Sequence, residues 1–191
     1  QVVLYEMRPG TMTPAHTTPF LGELVCSNSL GSNLVSRAPG LLKEELRRLG
    51  SLVIGVADQH AVPAGSALAV DREAYAAELT ARIEATSTIT VVREEATTLQ
   101  PPSSRRHPQI VASGPLTSPA LARAIQCLTG HTNLYFYDAI APIVESESID
   151  MTVAFRASRY GKGESEQGDY INCPMSEAEY TAFHDALVNA E

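Results

Sequence analysis

The sequence lacks several features that would assign it to a class at once. No stretch approaches the ~20 consecutive apolar residues of a membrane-spanning helix, and no basic segment followed by an apolar one opens the chain as in a secretory signal. The three cysteines, Cys26, Cys127 and Cys173, are far apart and form no CxxC pair, so neither a zinc site nor a disulfide framework is indicated. These absences predict a cytoplasmic protein in a reducing environment, with no membrane or metal partner.

Positive charge is scarce as well. The formal net charge is -8 at pH 7, whereas nucleic-acid-binding proteins usually carry a basic surface. Basic residues cluster weakly at 47–48, 105–106 and 156–162, and each cluster is more typical of solvated surface charge. No GxSxG, Walker A or HExxH motif occurs, and the five histidines have no metal-ligand spacing. An RNA-related function must therefore be inferred from something other than charge or a short motif.

What is present is the composition of a globular domain. A chain of 191 residues, 44% hydrophobic and 19% charged, can bury a core and form one domain or one and a half small ones. It opens on an apolar, β-branched run at residues 1–5, which predicts a buried parallel strand. Because no turn or cap precedes this strand, we expect the chain to be an incomplete piece of a longer one.

The patterns up to residue 114 predict an α/β domain. Helices are expected at 41–50 and 72–84, and strands at 51–57, 88–93, 97–99 and 109–112. Asp71 is placed to cap the second helix, and a polar turn is expected at 101–108. The order of helix, strand, turn and strand, followed by a turn at Gly114, fits the later half of a nucleotide-binding domain.

The chain changes character after Gly114. Helices are expected at 119–129, capped by Thr117 or Ser118, and after Ser176, and strands at 133–137, 154–160 and 170–173. This change divides the chain into a first domain, residues 1–114, and a second region, residues 115–191.

Residues 8–40 form a long segment rich in Pro, Thr, Ser, Asn and Gly. A loop of this length in a compact domain is usually functional or disordered, and its apolar middle argues for order. We expect it to cover a ligand and to contain a short helix. Cys26 lies among small and amide side chains that can rest against a planar ring, although an isolated cysteine is more often a simple hydrophobic residue. Cys127 is expected in the core and Cys173 in a structural role.

Glu6 ends the first strand. In dinucleotide-binding folds an acidic residue at a strand end accepts hydrogen bonds from the ribose hydroxyls. A glycine fingerprint normally precedes that arrangement and is not found here. Position alone therefore favours a ribose ligand and a surface glutamate equally.

Several strings of the sequence match one family in order. They are LYEMRP (4–9), TPAHTT (13–18), ELVCSNSL (23–30), GLLKEELRRLGS (40–51), VPAGSALAVDRE (62–73), SGPLTS (113–118), LYFYDAIAPIV (134–144), ESIDM (147–151), SRYGKG (158–163) and YINCPMSEAEY (170–180). In these strings the chain resembles the folate- and FAD-dependent tRNA (uracil-5-)-methyltransferases, which are related to the larger glucose-inhibited-division tRNA-modifying flavoproteins. The matches run through almost the whole chain and are far more specific together than a lone glycine motif.

The resemblance implies a fold and a reaction. It implies a partial Rossmann-like, glutathione-reductase-like FAD-binding domain followed by part of an α+β inserted domain that helps to hold tRNA. The reaction transfers a one-carbon unit from methylenetetrahydrofolate to C5 of a T-loop uridine in tRNA. Reduced FAD supplies the electrons, and NAD(P)H is the outside reductant.

The resemblance also implies roles for individual residues. Cys26 matches a cysteine considered catalytic in the family, and Glu6 matches the ligand of the adenosine ribose of FAD. The further cofactor-binding residues expected are Arg8, Ser27, Asn28, Ser29, Asp71 and Gly114. Residues 112–114 read Ala-Ser-Gly where the family has Ala-Thr-Gly, a change that keeps a small hydroxyl side chain.

Two family elements are not found in these residues: the GxGxxG turn and a second cysteine in a Gly-Cys-Met-Pro-like segment. Cys173 lies in a different motif and is not expected to replace that cysteine. The chain alone is therefore expected neither to hold FAD tightly nor to methylate RNA. Two alternatives remain: another FAD-dependent tRNA-modifying protein or oxidoreductase, and a non-catalytic fragment.

Overall fold

A computed structural model of the protein describes residues 1–99, 108–131, 144–158 and 168–190, and within these ranges the chain is mixed α/β. The strands are β1 (Val2–Tyr5), β2 (Ser29–Ser32), β3 (Ala61–Val62), β4 (Ala67–Val70), β5 (Ile89–Val92), β6 (Phe155–Ala157) and β7 (Tyr170–Asn172). The helices are α1 (Ala38–Arg48), α2 (Leu52–Gln59), α3 (Arg72–Glu84), α4 (Pro119–Thr129) and α5 (Glu177–Val188). No described helix has the length and apolar character needed to cross a membrane.

The described strands form three small sheets. β1 and β5 pair in parallel, with Val2 opposite Ile89 and Tyr5 opposite Val92. β2, β4 and β3 form an antiparallel sheet in that order, and β6 and β7 form a separate antiparallel pair. The parallel strand predicted at the start of the chain is confirmed. Its predicted burial is wrong, because Val2, Val3 and Tyr5 are each more than half exposed.

The hydrophobic core lies between α2, β4 and α3. Its buried members are Val56, Ala57, Leu68, Val70, Tyr75 and Leu79. Leu24 and Leu30, which flank Cys26, are partly buried and pack against this core. The cysteine-containing segment is therefore seated on the core through its apolar residues.

Residues 52–59 are helical, so the strand predicted at 51–57 is wrong. A short apolar run has no period that distinguishes a buried strand from a buried helix. Here Ser51 begins the helix, because its hydroxyl oxygen accepts a hydrogen bond from the backbone N–H of Ile54 at 3.4 Å. The connection that follows contains the two strands of the β3–β4 pair, which the sequence pattern does not separate.

Several local predictions are confirmed by their caps. Asp71 caps α3 by accepting from the N–H of Ala74 at 3.1 Å, and Tyr75 and Leu79 form the buried stripe of that helix. Ser118 caps α4, and Ser176 caps α5 in a reciprocal capping box with Glu179. These signals involve residues three positions apart, so they are visible in the sequence.

Other predictions are wrong. Residues 97–99 and 109–112 are not strands, and the segment 8–40 contains β2 and the first residues of α1 but no short helix of its own. Cys127 is exposed on α4 and is not a core residue among the described parts of the chain. The predictions for 101–107, 133–137 and 159–160 concern residues outside the described ranges.

The four leucines in the helix predicted at 41–50 follow helical spacing, but they do not form the buried face of α1. Leu41, Leu42 and Leu49 are 45%, 56% and 81% exposed. The buried residues of this helix are instead Gly40 and Lys43. α1 therefore turns a small and polar face towards the rest of the described structure.

Two glycine substitutions should change stability in opposite directions. A Cβ at Gly40 would collide with the backbone of Leu34, so Gly40→Ala should lower the free energy of unfolding by about 2 kcal/mol. A Cβ at Gly55, inside α2, would meet nothing within 4 Å, so Gly55→Ala should raise it by about 0.5–1 kcal/mol. Urea unfolding followed by circular dichroism measures both. A destabilising Gly55→Ala would contradict the helical assignment of α2.

Candidate functional site

Glu6 and Arg8 form a tight pair at the end of β1. The N–H of Glu6 donates to the carbonyl of Val92 at 3.0 Å, which extends the β1–β5 ladder and fixes the start of the turn. The Glu6 carboxylate then accepts three hydrogen bonds from Arg8: from the backbone N–H at 3.0 Å, from Nε at 2.9 Å and from Nη2 at 3.2 Å. The carboxylate predicted to face a ligand is thus oriented by an arginine two residues further along the chain.

Glu23 completes a cluster around the same guanidinium. Arg8 Nη1 donates to Glu23 Oε2 at 2.7 Å, and the two side chains are only 6% and 10% exposed. Glu23 also accepts from the N–H and hydroxyl of Thr17 at 2.9 and 3.0 Å and from the N–H of Thr18 at 3.3 Å. This Glu6–Arg8–Glu23 cluster joins the end of β1 to the segment that leads to Cys26.

Both carboxylates of the cluster favour the ionised form. Burial on its own would raise the pKa of Glu6, but the hydrogen bonds and positive charge of Arg8, with the charge of Arg93, outweigh burial and leave that pKa below its ordinary value. For Glu23, burial again opposes ionisation, and the hydrogen bonds from Thr17 and Thr18 hold the pKa below its ordinary value. The cluster therefore carries two negative charges around one positive charge at neutral pH.

The Glu6 carboxylate keeps some capacity to accept a further hydrogen bond. An ionised carboxylate offers about four lone-pair positions. Oε1 accepts two hydrogen bonds and Oε2 accepts one, all from Arg8. The side chain is 18% exposed, so an incoming hydroxyl group has about one acceptor position available, on Oε2.

The segment before Cys26 is anchored on α3 and β5. The N–H of the buried Leu21 donates to the hydroxyl of Thr80 at 2.8 Å. Gly22 follows with a φ of +70°, and a side chain there would collide with Leu79. Arg93, just after β5, donates to the carbonyl of Pro19 at 2.7 Å. These contacts hold the segment as an ordered loop, as its apolar middle predicts.

Cys26 lies in an exposed loop held at its far end by β4. We call residues 24–29 the cysteine loop. Asn28 Nδ2 donates to the carbonyl of Val70 at 3.1 Å, and the N–H of Val70 donates to the carbonyl of Asn28 at 2.9 Å. Ser27 Oγ accepts from the N–H of Ser29 at 3.2 Å. The side chain of Cys26 is exposed to solvent. The loop that carries it is held at Asn28 by the two hydrogen bonds to Val70.

The structure brings some of the predicted site residues together and leaves one apart. Asp71 directly follows Val70, and one oxygen of its carboxylate caps α3, so it lies next to the base of the cysteine loop. Gly114 is exposed, with a φ of +69°, in a turn closed by the hydroxyl of Thr117, which donates to its carbonyl. Among the described residues, no hydrogen bond or ion pair joins this turn to the cluster or to the cysteine loop.

Sequence reasoning does not find Glu23 or Arg93. Glu23 opens the matched string ELVCSNSL, but nothing in that string assigns it a role. Its partner Arg8 lies 15 positions away, and Pro19, the partner of Arg93, lies 74 positions away. A groove of about 360 Å³ is lined by Asn33, Leu34 and residues 61–68, and none of the predicted site residues lines it. Within the described part of the chain, no group of three or more His, Cys, Asp and Glu side chains could hold a metal ion.

Comparison with known proteins identifies relatives along the whole chain. A family model described as "Glucose inhibited division protein A" matches residues 1–191. Proteins named methylenetetrahydrofolate--tRNA-(uracil-5-)-methyltransferase TrmFO are 59% identical in Heliobacterium modesticaldum over 190 residues, 54% in Moorella thermoacetica over 191 and 56% in Desulforudis audaxviator over 190. Each alignment covers 100% of this chain and 42% of the relative. The chain thus spans about two fifths of the length of these curated relatives.

Removing the charge of Glu23 should destabilise the protein and weaken its response to acid. Glu23→Gln leaves Arg8 with one carboxylate partner, and breaking a buried pair in this way costs about 3 kcal/mol. Because the pKa of Glu23 is lowered on folding from 4.5, its ionised form contributes stability above that value, which is lost as the pH falls through the folded pKa. Urea unfolding at pH 7 and pH 4 should show a smaller acid-induced loss in Glu23→Gln than in the unmodified protein.

The exposed Glu45 supplies the control for this measurement. Glu45→Gln should change stability by less than about 0.5 kcal/mol and keep the full acid-induced loss. An equal loss in Glu23→Gln and Glu45→Gln would show that the cluster does not contribute to acid sensitivity.

Proposed function

Because the chain belongs to the glucose inhibited division protein A family, we propose that it forms part of a flavin- and folate-dependent tRNA methyltransferase. One observation carries this proposal: identity of 54–59% along its entire length to proteins named methylenetetrahydrofolate--tRNA-(uracil-5-)-methyltransferase. The matched region spans the segments that hold the candidate site, because it covers 100% of the chain. The complete enzyme would transfer the one-carbon unit of methylenetetrahydrofolate to C5 of the T-loop uridine of tRNA in the cytoplasm, with NAD(P)H as reductant.

The two regions of the chain would divide the work. Residues 1–114 would be part of a Rossmann-like FAD-binding domain, without its first strand and glycine-rich loop, for which the parallel β1–β5 pair and the adjoining helices give support. Residues 115–191 would be part of an inserted α+β domain that helps to hold tRNA. The net charge of -8 gives no support for RNA binding, so the tRNA partner rests on the relatives' names.

Glu6 would accept a hydrogen bond from the ribose of FAD. What supports this role is a carboxylate that is ionised, oriented by Arg8 and left with about one acceptor position. That capacity suits one ribose hydroxyl better than a vicinal pair. Arg8 would act mainly by orienting Glu6, since its guanidinium is occupied by the two carboxylates and by the carbonyl of Thr18. When bound, FAD would supply the electrons that reduce the transferred carbon.

Cys26 would be the catalytic thiol of this part of the enzyme. It is exposed, whereas the apolar residues on either side of it pack on the core. Ser27, Asn28 and Ser29 would place backbone and side-chain groups near the flavin, and Asp71 and Gly114 would complete the cofactor contacts. Cys127 and Cys173 are exposed too, but neither lies in a loop anchored in this manner.

Replacing Cys26 should abolish methylation without unfolding the protein. In a protein of the relatives' full length, Cys26→Ala should reduce transfer from labelled methylenetetrahydrofolate to T-loop tRNA by about 1000-fold or more, as expected when a nucleophile is removed. Cys127→Ala, which removes an equally exposed thiol, should keep the activity of the unmodified enzyme. If Cys26→Ala and Cys127→Ala are equally active, Cys26 is not catalytic. If the unmodified enzyme transfers no carbon, the proposed function is wrong.

Neutralising Glu6 should weaken FAD binding. A hydrogen bond to a charged acceptor contributes about 1.5–3 kcal/mol, so in a protein of the relatives' full length Glu6→Gln should raise the dissociation constant for FAD by about 10-fold or more. Quenching of flavin fluorescence on titration measures this constant. Glu94 follows β5 much as Glu6 follows β1 and is exposed, so Glu94→Gln should bind FAD normally. Equal affinities for the two variants would remove Glu6 from the cofactor site.

A further inference from the structure

Lys43 is a buried cation that the proposed reaction does not use. It is only 6% exposed, although lysine is almost never fully buried unless it is paired. Its Nζ donates to the carbonyl of Ser32 at 3.0 Å and to the carbonyl of Pro39 at 3.3 Å. No ion pair between Lys43 and a carboxylate occurs among the described residues. The ammonium group is therefore held by backbone carbonyl groups.

Those contacts belong to a polar face of α1 that packs on the end of β2. Gly40, Lys43 and Arg47 lie three and four positions apart, so they share one side of the helix. Gly40 touches the backbone of Leu34, Lys43 binds the carbonyl of Ser32, and Arg47 Nη2 donates to Asn33 Oδ1 at 2.8 Å. We call these three side-by-side contacts the α1 clamp.

The α1 clamp holds the strand that ends the cysteine loop. β2 begins at Ser29, three residues after Cys26, and Ser29 pairs with Ala69 of β4. Next to this pair, Asn28 and Val70, the last residue of β4, exchange two hydrogen bonds. The carboxyl end of the cysteine loop is thus fixed by β4 along one edge and by Lys43 through the carbonyl of Ser32.

The chemistry of Lys43 is not explained by packing alone. A methionine of similar length would fill the same space without the cost of burying a charge. What lysine adds is a set of N–H donors for two carbonyl groups that lie seven residues apart, at Ser32 and Pro39. Burial, followed by the charge of Arg47, lowers the pKa of Lys43, and a neutral amine still has two N–H donors, so the contacts survive loss of the proton.

We propose that Lys43 is a positioning residue for Cys26: by binding the carbonyl of Ser32 it fixes β2 and sets the orientation from which the cysteine loop presents its thiol. This role rests on the proposed function of Cys26. Lys43 itself touches neither the thiol nor a substrate. A shift of about 1 Å in a reacting group can reduce a rate about 100-fold, so releasing β2 should affect the reaction more than substrate binding.

The test compares Lys43→Met with Arg48→Met in a protein of the relatives' full length. Both substitutions replace a cation of α1 by methionine, but the Arg48 side chain is 79% exposed, and within the described ranges its ion-pair partner is Glu44 on the same helix. Lys43→Met should lower kcat for tRNA methylation by about 10- to 100-fold at an unchanged KM for tRNA. Hydrogen exchange should quicken at residues 29–34 and stay unchanged in β1 and β5. Lys43→Arg, which keeps N–H donors, should recover part of the rate, and Arg48→Met should match the unmodified enzyme.

Three outcomes would overturn the proposal. The first is normal exchange at residues 29–34 in Lys43→Met. The second is faster exchange there with an unchanged kcat, which would separate the α1 clamp from Cys26. The third is faster exchange throughout the protein, which would mean that Lys43 only maintains the fold. Failure of the unmodified enzyme to methylate tRNA would instead refute the proposed function and, with it, a positioning role for Lys43, while the exchange data would still decide whether the α1 clamp exists.

Discussion

The guanidinium of Arg8, buried between Glu6 and Glu23, is the interaction on which the candidate site depends. A buried guanidinium has five N–H donors that require acceptors, and here two carboxylates and the carbonyl of Thr18 accept four hydrogen bonds from it. Because Glu23 lies on the segment leading to Cys26, one side chain fixes the strand end and that segment together. Buried ion pairs give little net stability relative to apolar residues. The benefit of this pair is therefore geometric: it determines where a long polar loop runs.

The parts of the fold that could be predicted are those decided by neighbouring residues. Caps at Asp71, Ser118 and Ser176 depend on hydrogen bonds spanning three positions, and the helices predicted after these caps form. The parallel partner of β1 is also predictable in kind, since β-branched apolar runs form such strands. The strand predicted at 51–57 fails because an apolar run without polar interruptions has no readable period. There, burial against β4 and α3 decides in favour of a helix.

The candidate site could be predicted only in part, for a related reason. Glu6 and Cys26 are recognisable from their strings, LYEMRP and ELVCSNSL. Glu23 and Lys43 lie in matched strings too, ELVCSNSL and GLLKEELRRLGS, but nothing in those strings assigns them a role. Folding brings each of them to its partner: Glu23 binds Arg8, and Lys43 binds the carbonyl of Ser32. In α1, the helical periodicity predicts that the leucines form the buried face. The contacts to β2 and the residues after it are made by the polar face instead. Hydrophobic patterns locate a helix without identifying its contact face when that face is polar.

The same interactions explain why net charge says little about the site. The chain has 14 lysines and arginines against 22 acidic residues, and several of these cations are engaged internally. Arg8, Lys43 and Arg93 bind carboxylates or backbone carbonyls around the loop that carries Cys26. These basic side chains therefore stabilise the fold of an acidic chain through internal contacts. By contrast, Arg123 on α4 and Arg156 on β6 are exposed, and both lie in the region proposed to help hold tRNA. The position of a cation in the structure decides whether it can bind an anionic partner. The number of cations in the chain does not decide this.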